Sequence, residues 1–418
     1  MLFACAGSSY APYLPSSIPS PLSPSQPAQL QPSPAAPGAP APAAQTNVKI
    51  ALLAPETGEY SQFAPGLVNA AELALASPGS PALDVRDTGS TPAGAAAAAT
   101  AAIAAGDNLI IGPFSGAETA AVAPVAQPAN VPVLAFTNDG SRASAGVWTL
   151  GITADAQFER LVSAAKGDMR MNLAALVPQG PYGDQVVAAV GQAATQAGFP
   201  TPNFVRYGDS FEDINDTIRD LADYADRRAP LDEKIREAKA KLNAEGRREV
   251  AELEKQTIPP PPFDALVVAA AGQELSEIES LLPYYDLYPA QVRFLGPNSW
   301  AYASGLGLSA ISGGWYAAPD PALRAQFVQF YTAKDGAAPP ATADLAYDAA
   351  SLARVLAVGQ GLSVANLTST GGFAGVDGVF VLGLDGHVRR GLAIFQVEPY
   401  GTPQMVQPSP QSLATPGN

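Results

Sequence analysis

The sequence predicts an α/β protein of two doubly wound parallel-sheet lobes facing a cleft, with a helical-hairpin insertion in the second lobe. Three observations predict it. From Val48 onward, short and continuously apolar runs alternate with helical stretches, and strands of a parallel sheet read this way because helices cover both faces. A second set of the same alternation begins after "GVWTLGIT". At 418 residues the chain exceeds what one hydrophobic core usually serves and fits two lobes with appendages.

The elements follow in order. "VKIALLAP", a helix over 64–76, "LDVRDTG", a helix over 92–105, "NLIIGPF", a helix over 117–127 and "VPVLAFTND" make the first set. "LAALVPQ", a helix over 184–196, "PNFVRYG", a helix over 211–225, "FDALVVAAA", a helix over 275–285 and "VRFLGPNSW" make the second. A helical pair, "PALRAQFVQFYTAK" and "ADLAYDAASLARVLAVG", comes next. It leads into "GVDGVFVLGLDGHVRRGLAIFQVE", whose two apolar strands around "LDGH" read as a hairpin.

Residues 226–262 interrupt this rhythm, because a connection between a helix and the next strand normally needs about 4–6 residues. Leu231, Ile235, Ala238 and Leu242 fall at helical spacing on one narrow stripe, "NAEG" breaks the run, and a second helix carries Val250 and Leu253. Fourteen of the 25 residues from Leu231 to Lys255 are charged, with both signs mixed, so a solvated helix pair laced with i,i+4 pairs is one reading. A helix-to-strand connection lies at the amino edge of a parallel sheet, opposite a cleft at the carboxyl edge. The arm should therefore leave from the far pole of the second lobe, where a protein partner is the other reading.

Composition narrows the function. A net charge of −15 with no sustained basic patch excludes nucleic acid as a partner. One Cys and one His, Cys5 and His387, leave no Cys/His metal site, no internal disulfide and no ordinary Ser-His-Asp arrangement. His387 falls in the "LDGH" turn, and "GPFSGAE" is not a G-x-S-x-G elbow. Glu56, Glu59, Asp139 and Glu274 are the acids near the expected cleft, and two carboxylates about 5–10 Å apart would be needed for acid–base work on a sugar. The expectation is a protein that is not an enzyme, with no catalytic residue, no metal and no cofactor. No run of about 20 apolar residues occurs to span a bilayer.

Cys5 closes "LFAC", and residues 10–46 are dominated by Pro, Ala, Ser and Gln. Such a composition favours extended polyproline II and cannot bury a core. Leu three residues before Cys5, with small Ala4 between, resembles the lipobox of bacterial lipoproteins. A signal peptide needs a charged region and an apolar stretch of roughly 7–15 residues before the cleavage site, so a translation start further upstream is part of that expectation. The bland alternative is an incidental Cys on a disordered terminus.

"VKIALLAPETGEYSQFAPGLVNAAELALA", "VRDTGSTPAGAAAAATAAI", "LIIGPFSG" and "TADLAYDAASLARVLA" resemble the type I periplasmic binding protein fold of branched-chain amino acid (leucine-binding-protein-like) receptors. They are most similar to the variant in penicillin-binding protein activators of the LpoA type, over about residues 47–398. The resemblance implies three crossings between lobes. Residues 1–46 then hold the lipobox-like start and a disordered tether. Residues 47–149 with 319–368 form lobe 1, residues 150–318 with 369–398 form lobe 2 carrying the 226–262 insertion, and 399–418 form a disordered tail.

Ligands in open α/β sheets bind beyond the carboxyl ends of the strands, where helix N-termini present free N–H groups. "PETGEYSQ" with Thr57, "GPFSG" with Ser115 and Gly116, and "FTND" with Thr137, Asn138 and Asp139 lie at such ends in lobe 1. "PQGPYG" with Tyr182, "AAGQE", and "GPNSW" with Asn298 and Trp300 lie there in lobe 2. These are the candidate cleft residues, Tyr182 and Trp300 as flat surfaces and the others as polar contacts. Ser, Thr, Asn and Asp at these places also serve as ordinary helix caps and turn formers. In the receptors that the sequence resembles, an acid in a "GPEG" phrase neutralises the ligand ammonium, and Asn298 stands there in this chain. Gly116 stands where those receptors tend to carry Ser, with Ser115 one residue earlier.

The resemblance, the tether, the altered cleft and the arm together imply a non-enzymatic, lipid-anchored periplasmic regulator. It would stimulate a bifunctional penicillin-binding protein, a peptidoglycan synthase, and be anchored to the outer membrane by lipidated Cys5. The alternative is a solute-binding receptor of an ABC importer for a small amino-acid-like ligand, read out by lobe closure.

Overall fold

The computed structural model describes residues 48–303, 307–369 and 371–413. The lipidation expected at Cys5, the tether over 1–46 and the last five residues lie outside them. Two parallel sheets dominate, as the alternation of apolar runs and helices predicts. In the first, Lys49–Ala54 lies between Ala82–Asp87 and Leu109–Ile111, followed by Val133–Ala135 and Val147–Thr149, with every pairing parallel. Successive side chains of a strand point to opposite faces. Ile50, Leu52 and Ala54 accordingly enter one core and Ala51 and Leu53 the other. The second face is covered by the helices Pro92–Ala104 and Gly116–Ala126, through Ala95, Ala98, Ala99, Ala102 and Val122. Alanine gives the first of these both high helix propensity and a flat surface for close approach.

The first face is covered by Ala64–Ala74 and by two helices from far down the chain, Pro321–Asp335 and Ala343–Val358. Asn69 donates to Asp335 at 2.6 Å and Lys334 pairs with Glu72 at 2.9 Å, tying these returning helices to the first lobe.

The second sheet has the order Gln404–Gln407, Ala393–Gln396, Trp315–Ala318, Arg293–Gly296, Ala265–Val268, Leu173–Pro178, Asn203–Tyr207. The last five are parallel and the first two join antiparallel. Residues 404–407, expected to belong to a disordered tail, thus form an edge strand: "QMVQ" pairs antiparallel with Ala393–Gln396, and the ladder supplies partners for its backbone.

The "LDGH" hairpin forms as Gly378–Leu382 against Val388–Arg390, joined by Phe373–Gly375 in a small antiparallel sheet. Gly386, at φ +89°, passes so close to Ser144 that a Cβ would lie 2.3 Å from its backbone nitrogen. Glycine is therefore required on both counts. Phe373, Phe380, Leu382 and Val388 enter the first core, beside Leu52 and Leu134. The chain crosses to the second sheet only after Arg390, so residues 373–390 pack with lobe 1 where the expected division had assigned 369–398 to lobe 2.

The insertion is a helical hairpin, Tyr224–Ala240 and Ala244–Leu253, with the Asn243 side chain accepting from the Gly246 N–H at 2.8 Å to cap the second helix. Leu231, Ile235, Ala238, Leu253 and Ile258 form a small core of their own. Leu242 departs from the expected stripe: it takes φ +50° in the turn and is 90% exposed. Arg227 roots the arm. Buried itself, it donates to the carbonyls of Ala222, Pro259, Tyr285 and Asp286. Tyr285 and Asp286 precede Arg293–Gly296, which places the root at the amino edge of the second sheet.

Candidate functional site: the inter-lobe cleft

Three groups of candidate residues lie at the carboxyl edge of the first sheet, and most have partners within the protein. Thr57 donates to the Asp87 carboxylate through its N–H at 3.0 Å and its hydroxyl at 2.6 Å. Burial raises the Asp87 pKa, but hydrogen bonds from Thr57 and Gly89 outweigh it and hold the carboxyl below its ordinary range. Ser115 caps the helix Gly116–Ala126 in a complete capping box: its N–H and hydroxyl donate to Glu118 at 2.9 and 2.8 Å, and its oxygen accepts the Glu118 N–H at 3.3 Å. The helix-cap alternative of the sequence reading is thus the arrangement present. Replacing Ser115 with Ala should cost about 0.5–2 kcal/mol of stability, measured by denaturant unfolding; no loss would mean that the cap does not hold this helix end.

Gly116, Thr137 and Asp139 are brought together. A Cβ on Gly116 would lie 3.0 Å from Asp139 Oδ2 and 3.4 Å from Thr137 Oγ1. Thr137 is buried and its hydroxyl oxygen accepts the Asp139 N–H at 3.0 Å, while Asn138 lies exposed between them. Asp139 accepts from Ser141 N–H at 3.1 Å, Ser141 Oγ at 2.5 Å and Arg142 Nε at 2.9 Å. Its pKa, raised by burial, is lowered overall by Ser141 and Arg142.

The remaining partner of Asp139 comes from the opposite lobe. Gln185, on the helix Pro181–Ala197, donates to Asp139 Oδ1 at 3.0 Å. Tyr182 stands one turn earlier on the same helix, 43% exposed. Burial of its hydroxyl and the nearby charge of Glu274 raise its pKa. Tyr207 donates to the Ala269 carbonyl and to Glu274, each at 3.3 Å.

Asn298 is half-buried and tied by its backbone to the first crossing, and Trp300 is not part of an open binding surface. The Asn298 N–H donates to Gln157 Oε1 at 2.7 Å, and Gln157 in turn donates to the carbonyls of Ile152 and Thr153, just past the first crossing. Trp300 is fully buried in the second core, its indole N–H donating to the Ala270 carbonyl at 3.0 Å. Its ring fills the space left by Gly296 and Gly314, where a Cβ would come within 2.0 and 2.9 Å of it. It is a core residue and not the flat ligand surface expected from its place after strand Arg293–Gly296.

Sequence reasoning missed Gln157 and Gln185, which carry no motif, and Phe114, which stacks on Phe63 at 4.8 Å and meets Tyr60 at 5.6 Å next to the Ser115 cap. A cavity of about 420 Å³ lies away from the cleft, between the turn of the 378–390 hairpin and the helices Ala154–Gly167 and Pro181–Ala197. There Asp155 faces His387 at 3.5 Å and Glu159 pairs with Arg389 at 2.7 Å. This places the sole His opposite a carboxylate, with no Ser or Cys lining the cavity.

The sequence pattern of the family described as periplasmic binding protein matches residues 47–402. The chain belongs to the periplasmic binding protein family. Among solved structures, a proposed branched-chain amino acid ABC transporter from Rhodospirillum rubrum is 17% identical with a TM-score of 0.61, over 86% of this chain and 100% of that one. Full-length LpoA from Haemophilus influenzae is 17% identical with a TM-score of 0.61, over 87% of this chain and 59% of that one. The C-domain of LpoA from the same organism, described as a regulator of PBP1A, is 15% identical with a TM-score of 0.57, over 86% of this chain and 99% of that one. This likeness is one of fold. No curated protein matches the chain. No helix among the described residues is long and apolar enough to cross a membrane.

Proposed function

We propose that this binding protein is a non-enzymatic regulator of a peptidoglycan synthase, a penicillin-binding protein activator, held in the periplasm at the outer membrane by lipid on Cys5. The observation that carries the reading is the polar closure of the cleft: Asp139 is held by Ser141, Arg142 and, across the lobes, Gln185, while Ser115 is engaged by Glu118. Groups that a receptor would turn to its ligand are here partners of one another, and a buried ammonium would find Asn298 where an acid is needed. The fold shared with the LpoA C-domain supports the same direction. On this reading the arm contacts the synthase, since it leaves the pole opposite the cleft and its mixed charge suits a salt-sensitive protein contact.

The second reading, a solute-binding receptor of an ABC importer, is favoured by one feature: Tyr182 and Glu274 are exposed at the carboxyl edge of the second sheet. One experiment separates the two. Residues 229–261 are replaced by a short Gly-Ser linker, and the parent, this variant and a Gln185→Ala variant are compared in glycan polymerisation by the organism's own bifunctional synthase and in calorimetry against leucine and glutamate. The expected result is stimulation by the parent and by Gln185→Ala, none by the arm variant, and no amino-acid binding. Micromolar binding with no stimulation by any protein would establish the receptor reading instead.

A further inference from the structure

Residues 404–410 lie past the end of the family pattern at 402, and neither reading of the cleft uses them. Gln404–Gln407 pairs antiparallel with Ala393–Gln396 and so belongs to the second lobe. Two residues further on, the chain rests against the first lobe. Ser409 is 4% exposed, and its Oγ lies 3.9 Å from where a Cβ on Gly378 would stand, at the start of the strand Gly378–Leu382 whose Phe380 and Leu382 enter the first core. Pro408 and Pro410 flank it, and each fixes its own φ, so the link between the two attachments is short and stiff.

Between these attachments the segment runs against the third crossing. Arg390 ends the last strand of the small sheet and Ala393 begins the next strand of the second sheet, which leaves Gly391 and Leu392 to change lobes. Gly391 is hemmed in. A Cβ there would lie 2.8 Å from Val379 Cγ1 and 3.0 Å from Pro410 Cγ, and its N–H donates to the Val379 carbonyl at 2.8 Å. Leu392 is fully buried, and its carbonyl accepts from Arg160 Nε at 2.9 Å. The same guanidinium donates through Nη2 to Gln407 Oε1 at 3.1 Å and to the Pro408 carbonyl at 3.5 Å. Arg160 belongs to the helix Ala154–Gly167, which begins where the first crossing ends. One side chain thus ties that helix, the third crossing and residues 407–408 together.

We propose that residues 404–410 form a strap across the hinge, which holds the two lobes at a fixed angle. Two-lobed proteins open and close because a few residues in the connecting segments absorb the change in φ and ψ. Here those residues are wedged. Rotation about Gly391 and Leu392 would draw Pro410 into the backbone it abuts, or else part Arg160 from Leu392 and Gln407, while the strand Gln404–Gln407 stays fastened to one lobe and Ser409 is seated on the other. The strap acts at the hinge itself, so it limits lobe movement whether the cleft serves a ligand or none.

The test compares the parent with a triple variant, Pro408→Gly, Ser409→Gly and Pro410→Gly, which keeps the edge strand but removes the stiff seat, and with a chain ending at Thr402. Amide exchange is read at Leu150 and Gly151, whose N–H groups bond the carbonyls of Ala135 and Thr137 at the first crossing, and in the strand Leu173–Pro178 inside the second sheet. In both altered proteins exchange at Leu150 and Gly151 should quicken about tenfold or more, with Leu173–Pro178 unchanged, because only the hinge gains an opening motion. Small-angle scattering should fit one arrangement of the lobes in the parent and require a spread of arrangements in the variants. Unchanged exchange at the first crossing in the glycine variant would overturn the proposal. So would equal acceleration at Leu173–Pro178, which would make 404–410 a stabiliser of the second sheet and nothing more. Should the shortened chain not fold, the glycine variant decides alone, since its edge strand is intact.

Discussion

Trp300→Ala should lower the stability of the second lobe by about 3–5 kcal/mol while leaving no ligand-binding phenotype of its own. The indole is wholly buried among Phe294, Ile311 and Tyr316, and two glycines have been fitted against it, so the surrounding backbone cannot easily collapse into the space left behind. The cost of a large-to-small change grows with the cavity that remains. The Ala270 carbonyl would also lose its donor, and a buried acceptor left unpaired adds to the penalty. Trp148 sits in the first core and Trp315 in the second sheet, so fluorescence during urea unfolding reports both lobes in the variant. If Trp300 instead offered a face to a ligand, the same substitution would change stability by no more than about 0.5 kcal/mol and would remove binding, an outcome incompatible with its position.

Trp300 also illustrates what was legible in the sequence. Parallel strands buried on both faces leave a signature in continuous apolar runs, and that signature located Lys49–Ala54, Leu109–Ile111, Val133–Ala135, Leu173–Pro178, Ala265–Val268 and Arg293–Gly296, though not Val147–Thr149 or Trp315–Ala318. A helix start was also visible at Ser115, whose cap alternative the structure adopts, and the "NAEG" break falls at the cap of the second arm helix. The direction of a side chain at a strand end was not. "GPNSW" and "GPFSG" read alike as exposed carboxyl-edge loops, yet a short 3-10 turn over Asn298–Tyr302 rotates Trp300 inward. The Gln185–Asp139 hydrogen bond was invisible for another reason: it forms only because two lobes face each other, and no local pattern marks a glutamine for that role. Edge strand Gln404–Gln407 was missed because four residues after "PYGTP" carry too little periodicity to stand out from a tail.

Arg390→Met should destabilise the protein by about 3–5 kcal/mol in neutral to alkaline solution, with a smaller deficit in mild acid. The substitution keeps most of the side chain's length and its packing on Phe380, over whose ring the guanidinium lies at 5.2 Å. It removes one of two guanidiniums, those of Arg324 and Arg390, that face the buried carboxyls of Asp344, Asp348 and Asp377, and leaves the Leu150 carbonyl without its donor. Breaking a buried pair by deleting one partner is costly because the other charge stays behind uncompensated. Here the charge left behind can be discharged. Burial, then Asp377, pushes Asp348 up to about 7 against Arg390, and removing Arg390 pushes it further in the same direction. At pH 5 Asp348 is then protonated and the missing guanidinium matters less. At pH 8 the folded variant must either ionise a buried acid beside Asp377 or hold a proton against the solvent, and both reduce stability. Because the folded-state pKa is raised above the unfolded value, the deficit must widen as pH rises. Urea unfolding of parent and variant at pH 5 and pH 8 checks this directly. A deficit equal at the two pH values would show that Arg390 acts through its bond to Leu150 and its packing, and that the carboxylates around it are indifferent to its charge.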